Sequence, residues 1–380
     1  MLSVISLLLH LYVGARLLPS LAGWPVAMVT LLAALLASAW LMPMGIGLAT
    51  RFRPARPRGA AHPLILLGWL AMGLFSSLLV LTLARDVLLL AVVAVNAVRT
   101  GLTDSAALRD YSALAVWMTS LAMTVLGFVG ARRTATVVRV DVPIAGLPPA
   151  LQGFLIAQIS DIHVGPTIRG AYLERIVAAV NAQAADMVAI TGDLVDGSVA
   201  ELAGQVASLA QLRSRHGSFF VTGNHEYYSG AAAWVSELRR LGVTVLMNEH
   251  VMLAHGAAQA LVGGVTDFSA GHFDPLQSSD PQRAIAGAPA EAGVRILLAH
   301  QPRSATAAAA AGFDLQLSGH THGGQFLPWN FFVRLQQPFV AGLHRLQQLW
   351  VYTSRGTGYW GPPKRFGAPS EITLLRLTAA

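Results

Sequence analysis

The first 140 residues of the chain are dominated by apolar side chains, whereas the remainder alternates short apolar runs with polar turns. A helix needs ~20 predominantly apolar residues to cross a bilayer, and the N-terminal part contains four blocks of roughly that length. We therefore predict an N-terminal helical transmembrane domain of about four helices in residues 1–140. The predicted spans cover approximately residues 2–18, 21–41, 64–98 and 113–130.

Two of these blocks admit more than one interpretation. The first could be an uncleaved signal segment, but another apolar block follows at once where a polar mature sequence would be expected, which favours a short span. The third is interrupted by Arg85-Asp86. It is either one long helix with an intramembrane or interfacial ion pair, or a span followed by a helix that lies at the interface.

A different pattern begins near residue 140, where Pro143, Pro148 and Pro149 mark a domain boundary. From there, runs typical of strands recur with few helices between them, which predicts an α/β fold: a two-sheet α/β sandwich over residues 141–380. Helices are predicted over residues 171–184, 199–213, 234–241 and 305–311. Strands are predicted over residues 155–159, 187–191, 218–222, 243–247, 251–254, 260–265, 294–299, 313–317, 349–353 and 372–377.

Composition and charge agree with this division. A mean hydropathy of +0.54 with only 12 % charged residues is typical of a chain with membrane segments. The net charge of +7 is concentrated at one end, because residues 1–140 contain 11 Arg against 3 Asp while the remainder is close to neutral. A nucleic-acid partner is therefore not expected. The chain has no Cys, so any metal ligands must be His, Asp, Glu or Asn.

The positions of the arginines predict how the chain is oriented. Four of them crowd the loop between the second and third blocks, at positions 51, 53, 56 and 58, and three more follow the fourth block, at 132, 133 and 139. By the positive-inside rule both regions are cytoplasmic. We expect a multi-pass protein of the inner (cytoplasmic) membrane, with the C-terminal domain on the cytoplasmic face.

Polar residues with metal-binding chemistry follow five of the predicted strands. The carboxyl ends of neighbouring parallel strands meet at one edge of a sheet, so these residues are expected to converge. Imidazole and carboxylate donors together suit Zn, Mn or Fe rather than Ca or Mg. Their number exceeds what one ion needs, which predicts two divalent metal ions. The residues are Asp161 and His163, Asp193 with Asp196, Asn224-His225-Glu226, His300, and His320 with His322.

This motif set, in this order, resembles that of the calcineurin-like metallophosphoesterases over residues 154–322. The ending from Gly356 to Ile372 further resembles a bacterial membrane-associated branch of that family, similar to UDP-diacylglucosamine pyrophosphohydrolase-like phosphodiesterases. The resemblance implies that Asp193 bridges two ions, and that His225 protonates the leaving oxygen or steadies the phosphoryl charge, with Glu226 orienting it. It assigns Asp161, His163 and His322 to one ion, and Asn224, His300 and His320 to the other.

The resemblance implies a membrane-anchored dinuclear phosphoesterase. It would hydrolyse a phosphodiester or pyrophosphate bond by metal-bound hydroxide attack, in a phospholipid, lipid A precursor or nucleotide-linked lipid drawn from the bilayer. One alternative is a transporter or sensor with a regulatory metal domain, although the spans offer only Arg85, Asp86 and Asn96 as polar candidates. Another places the domain on the opposite side of the membrane.

Several residues near the motifs have two readings. Asp196 is a helix cap or a partner of a ligand rather than a ligand itself. The aromatic segment 326–335, directly after the last motif, is either core or an apolar surface that dips into the bilayer interface. Four arginines are either ordinary surface residues or phosphate-binding groups: Arg169, Arg303, Arg355 and Arg365.

Overall fold

The computed structural model describes residues 2–51, 63–99, 105–289 and 291–380, and the chain divides into two compact units. One unit contains the N-terminal helices together with Gly361–Phe366, and the other contains Ala131–Trp360 and Gly367–Ala380. The loop that carries Arg53, Arg56 and Arg58 lies outside the described residues.

Four long helices form the first unit, and each is long and apolar enough to cross a membrane. The prediction of four N-terminal apolar helices is therefore confirmed. The second helix continues through Pro43 past its predicted end. The fourth begins at Ser105, earlier than predicted, because its first two turns contain polar residues and so lie outside the apolar block. The helices are α1 (Leu2–Leu17), α2 (Pro25–Arg51), α3 (Pro63–Val98) and α4 (Ser105–Arg132).

The charged pair in the third block lies within one continuous helix, α3. The carboxylate of Asp86 accepts two hydrogen bonds from Arg16, at 2.8 and 2.9 Å, and one from the hydroxyl of Tyr12 at 2.7 Å. The buried Arg85 donates to the hydroxyls of Ser20 and Ser112. Of the two interpretations, the single long helix with an ion pair is the correct one.

Two six-stranded sheets form the second unit. The first has the order β1-β12-β2-β3-β4-β5 and the second β10-β11-β9-β8-β7-β6. The strands are β1 (Thr136–Ile144), β2 (Leu155–Ile159), β3 (Met187–Ile190), β4 (Ser218–Phe220), β5 (Thr244–Val245), β6 (Glu249–His255), β7 (Ala258–Gly264), β8 (Val294–Leu298), β9 (Leu315–Ser318), β10 (Gly342–Leu346), β11 (Leu349–Thr353) and β12 (Glu371–Ala379). The helices are α5 (Gly170–Asn181), α6 (Val199–Val206), α7 (Asn224–Ser229), α8 (Ala231–Arg240), α9 (Pro281–Ile285), α10 (Ala305–Ala310) and α11 (Trp329–Val333).

Each sheet has buried side chains on both faces, as expected for strands covered on two sides. Along β3, Met187 and Ala189 point into the core between the two sheets, whereas Val188 and Ile190 point to the opposite face. That outer face packs against α5, α6 and α8, and α10 covers the outer face of the second sheet. The predicted α/β sandwich is confirmed.

The parallel strands of both sheets present their carboxyl ends in one direction within each sheet. In the first sheet β2, β3, β4 and β5 are parallel neighbours, and in the second β7, β8, β9 and β11 are. The loops that leave β2, β3, β4, β8 and β9 carry the predicted ligands. The topology therefore gathers residues that are far apart in sequence.

Candidate metal centre

The loops that follow β2, β3, β4, β8 and β9 meet at one place. Three groups of side chains there have potential ligand atoms within 4.8 Å of one another. His163 and Asp193 each belong to two of the groups, so the three groups are contiguous. The groups are Asp161, His163 and His322; His163, Asp193 and His225; and Asp193, His300 and His320.

Five of the predicted ligands have a left-handed backbone conformation, with φ between 51° and 68°. Non-glycine residues rarely adopt this region, and each such residue costs about 1–3 kcal/mol, so the conformation persists only where the surroundings enforce it. Strain of this kind is concentrated at functional sites. The residues are Asp161, His163, Asp193, His320 and His322.

The glycines that precede the motifs let backbone and carboxylates approach closely. A Cβ atom on Gly319 would overlap the carboxylate of Asp161, and one on Gly223 would overlap that of Asp193. In the native chain both oxygens of Asp161 instead accept from the backbone N–H of His320, at 2.9 and 3.0 Å. Glycine therefore lets the loops after β3 and β4 approach each other within the first sheet, and the loop after β9 in the second sheet approach that after β2 in the first.

Hydrogen bonds on the outer nitrogen of two histidines aim the inner nitrogen at the centre. The Nδ1–H of His163 donates to Asp196 at 2.9 Å, and that of His300 donates to the carbonyl of Thr191 at 2.8 Å. Each ring thereby turns Nε2 inward, the atom through which a metal-binding histidine held in this way would coordinate an ion. Asp196 therefore acts as a partner of a candidate ligand.

The inward-facing atoms fit a cation. Nε2 of His163 lies 3.1 Å from Nε2 of His322, and Nε2 of His300 lies 3.2 Å from Nδ1 of His320. Distances this short require either a proton or a metal ion between the two nitrogens of each pair, because two lone pairs facing each other would repel. In the described part of the chain, the Oδ1 atom of Asn224 is buried and receives no hydrogen bond, which leaves it available as a ligand.

The electrostatics of the centre favour positive charge. Burial opposes ionisation of Asp193, but the charges of His300 and His225 outweigh it and hold the pKa of this carboxyl well below its usual range. Burial likewise disfavours a charged His300, but Asp193 raises its pKa well above the usual value. Burial, with His300 beside it, lowers the pKa of His320 to about 3, so this ring is a neutral donor.

His225 is held by Asp196 rather than by Glu226. Its Nδ1 donates to Asp196 at 2.7 Å, and its Nε2 lies 4.0 Å from Asp193. Glu226 instead accepts from the backbone N–H groups of Asp193, Leu194 and Gly223, at 2.7–3.0 Å. Glu226 was expected to orient His225, but its carboxylate faces the loop after β3 instead. Its hydrogen bonds hold that loop in place.

Two aromatic residues beside His225 were not singled out by the sequence analysis. The ring centroids of Tyr228 and Trp360 lie 5.3 and 5.6 Å from that of His225, both edge-on. The backbone of Trp360 exchanges two hydrogen bonds with the side chain of Gln325, at 2.8 and 2.9 Å. Their positions in the sequence could have identified them: Tyr228 comes three residues after His225, and Trp360 lies within the ending Gly356–Arg365.

Most of the aromatic segment after His322 lies at the surface, although Phe326 at its start is buried. Residues 329–333 form α11, in which no residue is buried, and Phe331 is 65 % exposed. The core interpretation is therefore wrong for this helix. A helix of five residues with Trp and Phe side chains on its surface presents an apolar patch.

The four arginines near the motifs have different surroundings. Arg355 forms an ion pair with Glu371 at 2.7 Å, and the half-buried Arg303 donates to the carbonyl of Gln336. Arg365 is buried and belongs to the helical unit, so it is not a surface residue. Arg169 lines a cavity in the second unit.

Comparison with known proteins identifies the same region of the chain. A family model for calcineurin-like phosphoesterase matches residues 154–324. This range covers β2 to the loop after β9 and includes every residue predicted to bind a metal. The predicted family resemblance is confirmed.

Curated relatives include proteins from animals and bacteria. A bovine "transmembrane protein with metallophosphoesterase domain" is 40 % identical over 73 % of this chain and 64 % of its own length. An uncharacterized metallophosphoesterase of Campylobacter jejuni is 38 % identical over 65 % of this chain and 64 % of its own. One of Aquifex aeolicus is 32 % identical over 58 % of this chain and 84 % of its own. The chain spans less than two thirds of the bovine and Campylobacter relatives.

Proposed function

Because this chain belongs to the calcineurin-like metallophosphoesterase family, we propose that it is a membrane-anchored, metal-dependent phosphoester hydrolase. Residues 1–140 would serve as the anchor and residues 141–380 as the catalytic domain. The observation that carries this proposal is the convergence of carboxylate, imidazole and amide donors from five separate loops. Turns that only connect strands would not be expected to bring so many metal-binding side chains to one place.

The donor set fits two divalent ions of the Mn, Fe or Zn type. Asp161, His163 and His322 would hold one ion and Asn224, His300 and His320 the other, with Asp193 between them. The shared membership of Asp193 in two of the groups supports this division. When bound, such ions activate a water nucleophile and stabilise negative charge on the phosphoryl oxygens.

The remaining side chains would act on the leaving group and on substrate orientation. His225 would donate a proton from Nε2 to the leaving oxygen, since Nδ1 is engaged by Asp196. Trp360 and Tyr228 fix the ring from its edges, and Gln325 in turn fixes Trp360. Glu226 would hold the loop that carries Asp193 through three backbone N–H groups.

A lipid substrate is supported by exposed apolar side chains near His225. Tyr228 is 65 % and Trp360 47 % exposed, and Phe273 packs against Tyr228 with centroids 5.6 Å apart. Apolar side chains beside a hydrolytic centre would favour a substrate with an apolar part. We therefore propose a phosphodiester or pyrophosphate bond in a phospholipid, lipid A precursor or nucleotide-linked lipid.

The arginine distribution supports placement of the catalytic domain on the cytoplasmic face of the inner membrane. Arg132 is the last residue of the fourth candidate span, and Arg133 follows it directly. A tag placed after Ala380 would then be protected from protease added to spheroplasts, whose outer membrane has been opened. A tag that is cleaved there would place the domain outside.

Hydrolysis assays on the purified full chain test the proposed activity. With Mn²⁺ we expect cleavage of bis-p-nitrophenyl phosphate and of UDP-diacylglucosamine, and weaker cleavage of a phosphomonoester. His225→Ala should lower kcat by about 10²–10⁴-fold, because a proton donor to the leaving group contributes that much. Asp193→Asn should reduce activity with all three compounds.

Asp141→Asn is the matched control, since this exposed carboxylate lies on the edge strand β1, is paired with Arg376 and belongs to none of the candidate metal groups. It should retain full activity. Equal activity of wild type, His225→Ala and Asp193→Asn would refute the proposal.

A further inference from the structure

Arg303 follows a candidate metal ligand, His300, by three residues. Its backbone belongs to a short 3₁₀ helix, Pro302–Ser304, in which the residues on both sides of Arg303 are buried. The backbone N–H of Ser304 donates to the carbonyl of Gln301 at 3.1 Å, which closes the turn. The loop that carries His300 therefore also sets the position of Arg303.

The guanidinium group of Arg303 is oriented by two contacts with uncharged groups. Nε donates to the carbonyl of Gln336 at 2.8 Å. Cζ lies over the ring of Phe268, in the loop after β7, at 5.7 Å from the ring centroid. This distance is within the range of a cation–π interaction. The two contacts engage Nε and one side of the group, and leave the end that carries Nη1 and Nη2.

In the part of the chain that the structure describes, this end of Arg303 has no protein partner. Neither Nη1 nor Nη2 donates a hydrogen bond there, and Arg303 forms no ion pair. The nearby carboxylate of Asp267 accepts from Ser269 and Gln301 instead. Two guanidinium nitrogens side by side form a fork that matches two oxygens of a phosphate group. Arg303 is therefore available to bind an anion.

The charge of Arg303 acts on the candidate metal centre. Burial and His300 lower the pKa of His320, and the positive charge of Arg303 lowers it further. His300 and His320 are two of the three residues proposed to hold the second ion. Arg303 thus lies on the side of the centre where that ion would bind.

A chain of buried side chains fixes the carbonyl that Arg303 contacts. The buried Gln337, which follows Gln336, donates to Oε1 of Gln301 at 3.2 Å. Gln301 in turn donates to both oxygens of Asp267, at 3.1 and 3.2 Å. These bonds join the loops after β7 and β8 to the segment after α11. Arg303 is thereby held in place before a substrate binds, which lowers the entropic cost of binding.

We propose that Arg303 is a substrate-binding residue, which contacts a second phosphate group attached to the one at the metal centre. This inference rests on the proposed hydrolytic function and narrows its substrate class to compounds with a pyrophosphate bond. In a pyrophosphate the second anion is always directly beside the first. A simple phosphodiester has no such group, and the fork of Nη1 and Nη2 would then remain without an anion.

The binding of two matched nucleotides to the full chain in detergent tests this role. α,β-Methylene-UDP has two linked phosphoryl groups and a bridge that is not hydrolysed, whereas UMP has one phosphoryl group. The protein is loaded with Mn²⁺ and desalted, and both affinities are measured by titration calorimetry. The test variants are Arg303→Gln and Arg303→Lys, which retains the charge but not the fork.

Arg345→Gln is the matched control. Arg345 lies over the ring of Trp350, at 5.3 Å from its centroid, and its Nε donates to the carbonyl of Gln347 at 3.1 Å. It therefore has the same two kinds of contact as Arg303. It lies on the edge strand β10, which carries none of the candidate ligands.

Wild type and Arg345→Gln should bind α,β-methylene-UDP at least about tenfold more tightly than UMP. Arg303→Gln should lose about 10- to 100-fold in affinity for α,β-methylene-UDP, because charged hydrogen bonds are removed, and lose less for UMP. Arg303→Lys should have an intermediate preference, and it replaces Arg303→Gln as the test if the latter does not fold.

A wild-type preference for α,β-methylene-UDP in the folded test variant would overturn the role of Arg303, and so would a wild-type chain that binds both nucleotides equally or neither. Hydrolysis by the wild-type chain would leave the proposed function intact in those cases. Conversely, a preference that depends on Arg303 in a chain without hydrolytic activity would support the binding role and refute the proposed function.

Discussion

Asp196 receives a hydrogen bond from each of two histidines, His163 and His225. A carboxylate in this position fixes both rings and makes the inward nitrogen of His163 a better donor. His163 is a candidate ligand and His225 the proposed proton donor, so one side chain supports both roles. The sequence predicts that Asp196 supports a ligand or caps a helix. It does not show which histidines it contacts, because that depends on how closely the loops after β2, β3 and β4 approach one another.

We expect Asp196→Asn to weaken metal affinity and activity by about 10- to 100-fold, the usual effect of removing such a partner. Metal titration of the full chain and kcat measured with bis-p-nitrophenyl phosphate would test this. Asp141→Asn again provides the control, because an exposed ion pair contributes little. A variant with unchanged metal affinity and kcat would contradict the role assigned to Asp196.

A pair of histidines far from the candidate ligands predicts a pH-dependent stability. Nε2 of His216 lies 3.0 Å from Nδ1 of His255. Burial lowers the pKa of His216, and His255 and Arg215 lower it further, against an opposing effect of Asp186. The unfolded chain therefore binds a proton at this position at a higher pH than the folded chain does. Stability should be fully present above the unfolded pKa of about 6.5 and fall as the pH drops below it.

Thermal unfolding of the full chain at pH 7.5 and 5.5 would measure this effect. His216→Gln should reduce the difference in midpoint between the two pH values, because the titrating group is gone. His272→Gln, at an exposed position, should leave that difference as in wild type. An identical pH dependence for wild type and His216→Gln would count against this assignment.

At the scale of elements, the turns after the strands have little room for side chains. We expect Gly319→Ala to displace the carboxylate of Asp161, since the added Cβ would overlap it. Hydrolytic activity should fall by at least about tenfold, because a misplaced ligand or substrate group costs that much or more. Assays at saturating Mn²⁺, with the fold checked by circular dichroism, would measure the loss.

Gly204 in α6 offers the matched control, because a Cβ there meets nothing within 4 Å. Gly204→Ala should preserve activity and stabilise the helix by about 0.5–1 kcal/mol. Full activity of Gly319→Ala would show that the turn does not need glycine.

The pattern of apolar positions predicted most elements because most are buried on a regular face. The strands that carry the motifs, β2, β3, β4, β8 and β9, were all predicted, since apolar residues recur along each of them. β1 and β10 were not. β1 follows the arginines after α4 and has mostly half-buried or exposed positions, and β10 contains His344 and Arg345 and has no buried residue in its five. Such edge strands lack the apolar run on which prediction depends.

At the scale of the whole molecule, contacts distant in sequence escaped prediction. Lys364, the only lysine of the chain, belongs to the helical unit and donates to the carbonyl of Gly73 and the hydroxyls of Ser77 and Thr124, at 2.6–3.2 Å. The sequence around Lys364 gives no indication that its side chain forms hydrogen bonds with α3 and α4. The convergence of the candidate ligands, in contrast, was predictable because each of their loops follows the end of a predicted strand.

The exposed aromatic helix α11 predicts a preference for membrane-bound substrate. Trp329 and Phe332, with ring centroids 5.4 Å apart, would insert into the bilayer interface. Trp329→Ala/Phe332→Ala should lower kcat/KM for a lipid substrate in vesicles about tenfold, or ~1.4 kcal/mol, and leave hydrolysis of bis-p-nitrophenyl phosphate unchanged. Equal effects on both substrates would contradict membrane insertion.

The central claim is that loops from two sheets together hold a pair of divalent ions. Metal analysis of the purified full chain, by mass spectrometry of the elements after dialysis, tests it most directly. Wild type should contain two ions of Mn, Fe or Zn per chain, and Asp193→Asn should lose at least one of them. Wild-type protein that is fully active without bound metal, or Asp193→Asn with the same metal content as wild type, would contradict the account.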